Sequence, residues 1–418
     1  MMLLKRRELW CTVVCLLIAI LQIAVFYPGY ISHDVVHQLD QARLGPINDV
    51  SPPAAALLLR FGQRFAEGTG FVFVLNTFLF WGSMVLLLRR ARVGWLWFLA
   101  LVVSSVPLWL LLPHVWTDIH LLSVLATYVA LVSLVFRVRH KGIQNLLWLM
   151  AFLCLAWSTW VRHNAILAVI PLLWLLVPRL ASVESSAGML RLKRIGLFGL
   201  LMLILLVLRS ASGLVVEQRA STWAIIPLWD LQVISIATNQ QLLPEGFVGE
   251  GMTVEQLQKA FSPNTNVPLF TYTTSGVRNP TLERFDQENT AKIFNAWADA
   301  VAKNPGVWAQ HRIGLMLRML GSYRTDDLVH MVDSPRFLPD ANRTALQTRL
   351  HQQWRGLVDW LKQQGFASPW LSIVLLAPSA ELRYLAWPIW AVLFAVMFGA
   401  SVRKNTSVSA AKSSGAGT

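Results

Sequence analysis

The sequence predicts an all-α polytopic membrane protein with about eight transmembrane helices, and composition and hydropathy carry this prediction. Of the 418 residues, 55% are hydrophobic and 14% are charged, whereas soluble domains carry about 25% charged residues. The mean hydropathy is +0.51. The 19 Trp and 20 Phe residues are typical of the aromatic belts at the two surfaces of a bilayer.

The net charge of +14 reflects membrane topology and excludes a nucleic-acid partner. Between Gly213 and Trp370 the sequence has 14 Lys and Arg and 14 Asp and Glu, so this stretch is neutral. The rest of the chain carries 22 basic and 8 acidic residues. Most of these basic residues lie in short loops beside apolar runs, where they indicate the cytoplasmic side of a membrane.

Eight apolar runs come close to the length of about 20 residues that a transmembrane helix needs. They are residues 9–26, 71–88, 95–112, 119–136, 145–161, 165–177, 195–208 and 384–400. The first run resembles a signal sequence but is too long and has no Ala-x-Ala site after it, so we interpret it as an uncleaved span. Cys11, Cys15 and Cys154 all lie in apolar runs and are expected to be free thiols.

A cytoplasmic N-terminus and C-terminus place every basic cluster inside the cell, as the positive-inside rule requires. These clusters are Lys5/Arg6/Arg7, Arg89/Arg90/Arg92, Arg137/Arg139/Lys141, the basic residues of 179–194, and Arg403/Lys404. The outer side then receives the loop 27–70, the turns 114–118 and 162–164, and the neutral polar stretch.

This topology divides the chain into four parts. Residues 1–212 form a transmembrane bundle with an outer loop, 27–70, in which 52–65 has the pattern of an amphipathic helix lying in the interface. Residues 213–370 form an extracytoplasmic, mostly helical domain, with helical patterns at 286–302 and 341–363. Residues 371–402 contain a membrane-associated segment and the last transmembrane helix, and 403–418 form a disordered cytoplasmic tail.

Asp34 is the first carboxylate outside the first span. Pro28-Gly29 ends that span, and Ser32 or His33 could cap a short helix that places His33 and His37 on one face. The alternative is that Asp34 is only a solvated loop carboxylate.

Asp118 is the second candidate acid, because a carboxylate that directly precedes a long apolar run is costly unless it is paired or faces water. It could equally be the first-turn anion that a helix dipole favours. Arg162, His163 and Asn164 occupy a tight turn on the outer side, where the planar guanidinium of Arg162 suits a phosphate, although the turn could be a plain hairpin.

Arg383 and Tyr384 begin the last predicted span at the same outer face. The alternative for Arg383 is a snorkelling contact with lipid headgroups. Two acids and two basic groups at one membrane surface could bind a phosphorylated lipid, hold its phosphate as the leaving group and deprotonate an acceptor. A divalent cation, Mg²⁺ or Mn²⁺, could be held by Asp34 and Asp118.

These short segments together resemble the GT-C superfamily of polytopic glycosyltransferases. The resemblance is carried by Tyr27-Pro-Gly with Ser32-His-Asp34, Ser51-Pro-Pro53 with the segment after it, Trp116-Thr-Asp118, Arg162-His-Asn164 and Leu382-Arg-Tyr384. Ser51 stands where many members have His, and a single Asp34 replaces a paired acidic motif, which leaves metal dependence open. The outer domain, residues 213–370, has no counterpart in the resemblance.

The resemblance implies transfer of a sugar, with inversion, from a polyprenyl-phosphate donor to an extracytoplasmic glycan, lipid or protein. It implies that Asp34 is the catalytic base, Asp118 a second acid near the acceptor or a metal, and Arg162, Arg383 and Tyr384 donor-phosphate ligands assisted by His163. A bacterial inner membrane, with the site facing the periplasm, is the expected location.

Three other functions stay open on the residues alone. A transporter or flippase of a lipid-linked glycan would use the same arginines but needs polar groups across the bilayer midplane. A membrane acyltransferase would use His33, His37 or His114. A partner-binding outer domain would need only an anchor, for which eight spans are excessive.

Overall fold

The computed structural model describes residues 2–91, 111–135, 137–162, 165–180, 187–219, 224–244, 252–263, 266, 268–269, 287–319 and 348–363. Within these residues every regular element is a helix, and the only β-type pairings are two isolated bridges. The predicted all-helical class is therefore confirmed. Residues 364–418 lie outside the described residues, and with them the predicted segment 371–402, its span 384–400 and the tail 403–418. All but the end of the predicted span 95–112 also lies outside them.

In the described part of the first half of the chain, the α-helices are eight in number. They are α1 (Met2–Phe26), α2 (His33–Leu44), α3 (Pro53–Gly62), α4 (Gly70–Ala91), α5 (Thr117–Val135), α6 (Lys141–Val161), α7 (Ile166–Leu180) and α8 (Ala187–Ser210). In the described part of the second half, the helices are α9 (Ile225–Thr238), α10 (Val254–Lys259), α11 (Gln287–Lys303), α12 (Pro305–Met319) and α13 (Arg349–Gln363).

Five of the described helices are long and apolar enough to cross a membrane: Leu9–Phe26, Gly70–Arg89, Thr117–Val135, Lys141–Val161 and Arg191–Leu214. Each coincides with a predicted span, since uninterrupted apolar length is a local property of the sequence. The predicted span 165–177 is a helix, α7, but at 15 residues it is shorter than the length that crosses a bilayer.

The spanning helices pack in sequence, with α1 on α4, α4 on α5, α5 on α6, and α7 and α8 beside α6. One apolar core lies among α1, α4 and α5 and includes Phe73, Leu87 and Leu122. A second lies among α5, α6, α7 and α8 and includes Tyr128 and Leu155. Much of α1 and α8 stays exposed, as expected of helices that face lipid.

The predicted amphipathic helix in the first loop is present as α3, and its apolar face packs on the protein. Ala54, Ala56 and Leu59 are buried, and α3 contacts α2, α4 and α6. Arg60 of α3 donates hydrogen bonds to the carbonyls of Gln41 (3.0 Å) and Ala42 (3.3 Å). Both carbonyls lie in the last turn of α2, and that of Gln41 also accepts from the N–H of Gly45 at 3.1 Å. Arg60 therefore adds to the cap of α2 and anchors that helix to the bundle.

The described part of residues 213–370 is built around a third apolar core. Leu228 and Leu231 of α9, Leu257 of α10 and Ile293 of α11 are buried in it. The pattern predicted at 286–302 is α11, within one residue at each end, and α13 occupies the C-terminal part of 341–363. Helix α13 packs against the end of α1, so this half of the chain contacts the bundle directly.

Candidate functional site

The ends of five helices meet at one end of the bundle, which we call the site end. The Thr69 hydroxyl, just before α4, donates to the carbonyl of Pro28, just after α1, at 2.9 Å. The indole N–H of Trp160 in α6 donates to the carbonyl of Leu208 in α8 at 2.7 Å. At the opposite end, Arg137 donates to the carbonyl of Arg89 at 3.3 Å. These contacts distinguish the two ends of the bundle: the site end and the end that contains Arg89 and Arg137.

A short backbone pairing connects the end of α1 to the start of α5. Tyr30 N–H donates to Pro113 O at 2.9 Å, and Val115 N–H donates to Tyr30 O at 3.0 Å. We call these two bonds the Tyr30 pairing. They require Gly29, which has φ +97° and whose absent Cβ would lie 2.6 Å from Val115 Cγ2, so only glycine lets the two segments approach this closely.

The Tyr30 pairing brings the two predicted acids to the same end of the molecule. Asp34 lies four residues after Tyr30, in the first turn of α2. Asp118 lies three residues after Val115, in the first turn of α5. Both carboxylates thus sit at helix N-termini, where the helix dipole favours negative charge.

Asp118 and Arg162 form an ion pair, with Asp118 Oδ1 2.8 Å from Arg162 Nη2. The two side chains are 8% and 18% exposed, respectively, so the pair is largely shielded from water. Arg162 is the residue at which α6 ends, and the pair therefore locks the start of α5 to the end of α6. Asp118 is therefore both an anion in the first turn of a helix and a paired acid, so both interpretations of its position apply.

Asp34 is exposed, and its neighbours in α2 are ordered by polar contacts. His37 Nε2 lies 2.7 Å from Gln41 Nε2; since an amide nitrogen only donates, His37 accepts there. Gln41 also donates to Asn48 Oδ1 at 2.9 Å. The predicted cap of α2 is wrong in its chemistry: Ser32 occupies the N-cap position, but its hydroxyl makes no capping bond.

Several predicted site residues cannot be placed. His163, Asn164, Arg383 and Tyr384 lie outside the described residues, and so does the side chain of His33, whose backbone begins α2.

Two further residues at the site end were missed by the sequence reasoning. Arg209, in the last turn of α8, is half-buried and donates to the carbonyl of Thr159 at 3.1 Å, three residues before Arg162. In the described part of the chain no carboxylate pairs with it. The sequence could have indicated Arg209, because this residue follows the predicted span 195–208 on the predicted outer side. An arginine is as unexpected there as Arg162.

The second missed residue is His351 of α13, which is 3% exposed. Its Nε2 lies 2.5 Å from the hydroxyl of Tyr30. The ring of Tyr30 also contacts His114 (5.1 Å between ring centroids), and His114 contacts Trp116 (4.1 Å). Nothing in the local sequence around His351 signals this contact.

His120, two residues after Asp118, is a neutral cross-link between spans. The Trp157 indole N–H donates to His120 Nε2 at 2.8 Å, and His120 Nδ1 lies 2.6 Å from Asn76 Oδ1. Because Trp only donates, Nε2 carries a lone pair and the proton is on Nδ1. His120 therefore joins α4, α5 and α6 and has no nitrogen left for proton transfer.

A second ionised cluster lies among α9, α11 and α12. The Asp230 side chain is fully buried and accepts at Oδ2 from Arg312, from Trp297 (2.9 Å) and from Trp308 (3.1 Å). His311 Nε2 lies 3.6 Å from Asp230 Oδ1. Burial lowers the pKa of His311, and Arg312 lowers it further, against the opposing effect of Asp230. With no exposed carboxylate, this cluster is suited to holding helices together.

The predicted cation ligands, Asp34 and Asp118, do not form a metal site with other described residues. Across the described ranges no three His, Cys, Asp or Glu side chains come together as a metal-binding group. Asp118 faces a guanidinium instead.

The fold and the site end define an integral membrane protein: an all-helical chain with apolar spanning helices and its buried Asp–Arg pair at one end of the bundle. Comparison of the chain with models of known protein families, with curated proteins and with solved structures finds no match.

Proposed function

We propose that this protein is a membrane glycosyltransferase of the GT-C type, which moves a sugar from a polyprenyl-phosphate donor to an extracytoplasmic acceptor. The observation that carries the proposal is the shielded Asp118–Arg162 pair at the end of the bundle that also presents Asp34. A phosphate ligand, an orienting carboxylate and an exposed carboxylate are the groups that this transfer needs.

In the proposed step, an acceptor hydroxyl attacks the anomeric carbon while its proton passes to the Asp34 carboxylate. The bond between the anomeric carbon and the phosphate oxygen breaks, and polyprenyl phosphate leaves with the electron pair. Arg162 and Arg209 stabilise the charge that develops on this phosphate, because guanidinium groups in a partly desolvated site are strong phosphate ligands. Arg383, Tyr384 and His163 complete the donor site in the proposal.

Asp118 is assigned an orienting role in this scheme. Its 2.8 Å contact fixes one edge of the Arg162 guanidinium and so orients a side chain that carries five N–H donors and is assigned to the donor phosphate. A divalent cation, if the reaction uses one, has Asp34 as its proposed ligand, and chelation followed by Mg²⁺ or Mn²⁺ addition measures that requirement.

The proposal includes an arrangement in the membrane. Eight spans, among which the short helix α7 is counted, with both termini in the cytoplasm of a bacterial cell, direct the site end to the periplasm, where polyprenyl-linked sugars and envelope acceptors meet.

The experiment compares Asp34→Asn with wild type in nanodiscs containing a panel of polyprenyl-phosphate sugars. We expect turnover of the productive donor to fall by about 10²–10⁴-fold, the usual contribution of a general base, while donor binding and thermal stability stay unchanged. Asp40→Asn is the matched control, since Asp40 is an exposed carboxylate on the same helix, and it should retain full activity. Full activity in Asp34→Asn would refute the assignment.

A further inference from the structure

The contact between Tyr30 and His351 connects parts of the chain that are 321 residues apart. Tyr30 is 5% exposed and His351 is 3% exposed, so their 2.5 Å hydrogen bond is formed away from water. A hydrogen bond in such surroundings is costly to leave half-made, because the remaining polar group stays buried without a water to replace its partner.

Helix α13 is fixed in place at this contact by more than one interaction. The ring of Phe26, at the end of α1, meets His351 edge-on (6.3 Å) and Trp354 edge-on (5.3 Å). The first turn of α13 is tied by the Thr348 hydroxyl, which accepts from the backbone N–H of His351 at 3.2 Å. His351 therefore reaches Tyr30 from a helix that is itself docked on the first span.

Tyr30 is also the residue whose backbone sets the relation between the two acid-bearing segments. Its N–H and C=O are both used in the Tyr30 pairing with Pro113 and Val115. Its side chain contacts both His351 and His114, with ring centroids 5.5 Å and 5.1 Å away. A displacement of Tyr30 therefore alters both these side-chain contacts and the backbone pairing that places Asp34 and Asp118 at one end.

We infer that His351 is a positioning residue, which holds the Tyr30 hydroxyl and thereby fixes the Asp34 segment against the Asp118 segment. Helix α13 is then the element through which the polar half of the chain acts on the site. The expected effect of His351 on turnover rests on the proposed function. Its effect on the Tyr30 pairing does not.

The hydroxyl of Tyr30 both donates and accepts, so the bond to His351 forms with either ring tautomer. This makes Gln a suitable conservative replacement for His351, since its amide can also donate to the hydroxyl or accept from it. Ala removes the partner, and Tyr30→Phe removes the hydroxyl while keeping the ring contacts.

The test measures amide hydrogen exchange at Tyr30 and Val115, the two donors of the Tyr30 pairing. We expect exchange to accelerate about fivefold or more in His351→Ala and in Tyr30→Phe, as loss of one net hydrogen bond implies, and to return toward wild type in His351→Gln. Gln353→Ala, an exposed position on the same helix, is the control and should leave exchange unchanged.

Turnover of the donor is measured on the same variants. The inference expects kcat to fall by about tenfold in His351→Ala, with KM for the donor within about twofold, because the acid geometry changes and phosphate binding does not. Unchanged exchange in both His351→Ala and Tyr30→Phe would overturn the inference, as would accelerated exchange with wild-type kcat. Accelerated exchange in a protein whose wild type transfers no sugar would support the positioning role and refute the proposed function.

Discussion

At the level of single residues, the two arginines at the site end differ in how their charge is balanced. Arg162 faces Asp118 at 2.8 Å, and its guanidinium is held as half of a shielded pair. Arg209 donates to a backbone carbonyl, and no carboxylate of the described residues pairs with it. A charge at the end of a lipid-facing helix attracts phosphate from the bilayer side, so Arg209 is suited to the first contact with a lipid-linked donor.

We therefore expect Arg209→Gln to weaken binding of polyprenyl-phosphate sugar by about tenfold, the effect of losing one charged hydrogen bond. Native mass spectrometry in nanodiscs measures the bound fraction, with inorganic phosphate as a competitor to separate lipid binding from simple anion binding. Arg191→Gln is the control, because Arg191 is exposed near the opposite end of α8. An equal loss in both variants would attribute the effect to general headgroup attraction.

At the level of elements, the Asp230 cluster fastens α9, α11 and α12 by charge. One buried carboxylate accepts from a guanidinium and two indoles, so each neighbouring helix supplies at least one donor. Removal of one member of such a cluster leaves the others buried and uncompensated, at a cost of about 3–5 kcal/mol. The cluster explains why an apolar helix such as α9 contains Asp230. This isolated Asp is the feature of the sequence from which the cluster could have been predicted.

His311 gives this cluster a defined pH dependence. Burial, assisted by Arg312, lowers the pKa of His311 in the folded protein, whereas the unfolded chain has the usual value of about 6.5. The unfolded state therefore binds the proton more readily, and the stabilisation present above about pH 6.5 is lost as the pH falls toward the folded value.

The expected result is a melting temperature that decreases between about pH 7 and pH 5 in wild type, over the range in which unfolded histidine titrates. The decrease should be smaller in His311→Gln, which has no titrating ring, and His140→Gln, an exposed histidine, should behave as wild type. Differential scanning fluorimetry across this range provides the measurement. Identical slopes for wild type and His311→Gln would contradict the assignment.

At the level of the whole molecule, the site end is defined by contacts, and the side of the membrane that it faces is a prediction from charge. Arg89 and the basic residues of 137–141 lie at the end opposite Asp34 and Asp118, and the positive-inside rule predicts that this end is cytoplasmic. The proposed function requires this orientation, because the acceptor lies outside the cell.

Single-cysteine labelling tests the orientation. With Cys11, Cys15 and Cys154 replaced, a cysteine at Leu44, which is 83% exposed, should react with a membrane-impermeant maleimide added to intact cells or spheroplasts. A cysteine at Arg139, an exposed residue of the opposite end, should react only after the membrane is permeabilised. The reverse pattern would invert the topology and place the site end in the cytoplasm.

The sequence alone determined the helical membrane class and the positions of the five described spans, because apolar length and charged flanks are local properties. It also identified Asp118 and Arg162 separately, each from its cost at a membrane surface. Only the tertiary structure decided that these two residues form a pair, that Gly29 admits the Tyr30 pairing, and that His351 and Asp230 belong to buried polar clusters. Such contacts join residues up to 321 positions apart, and their partners are selected by helix packing, which no local pattern encodes.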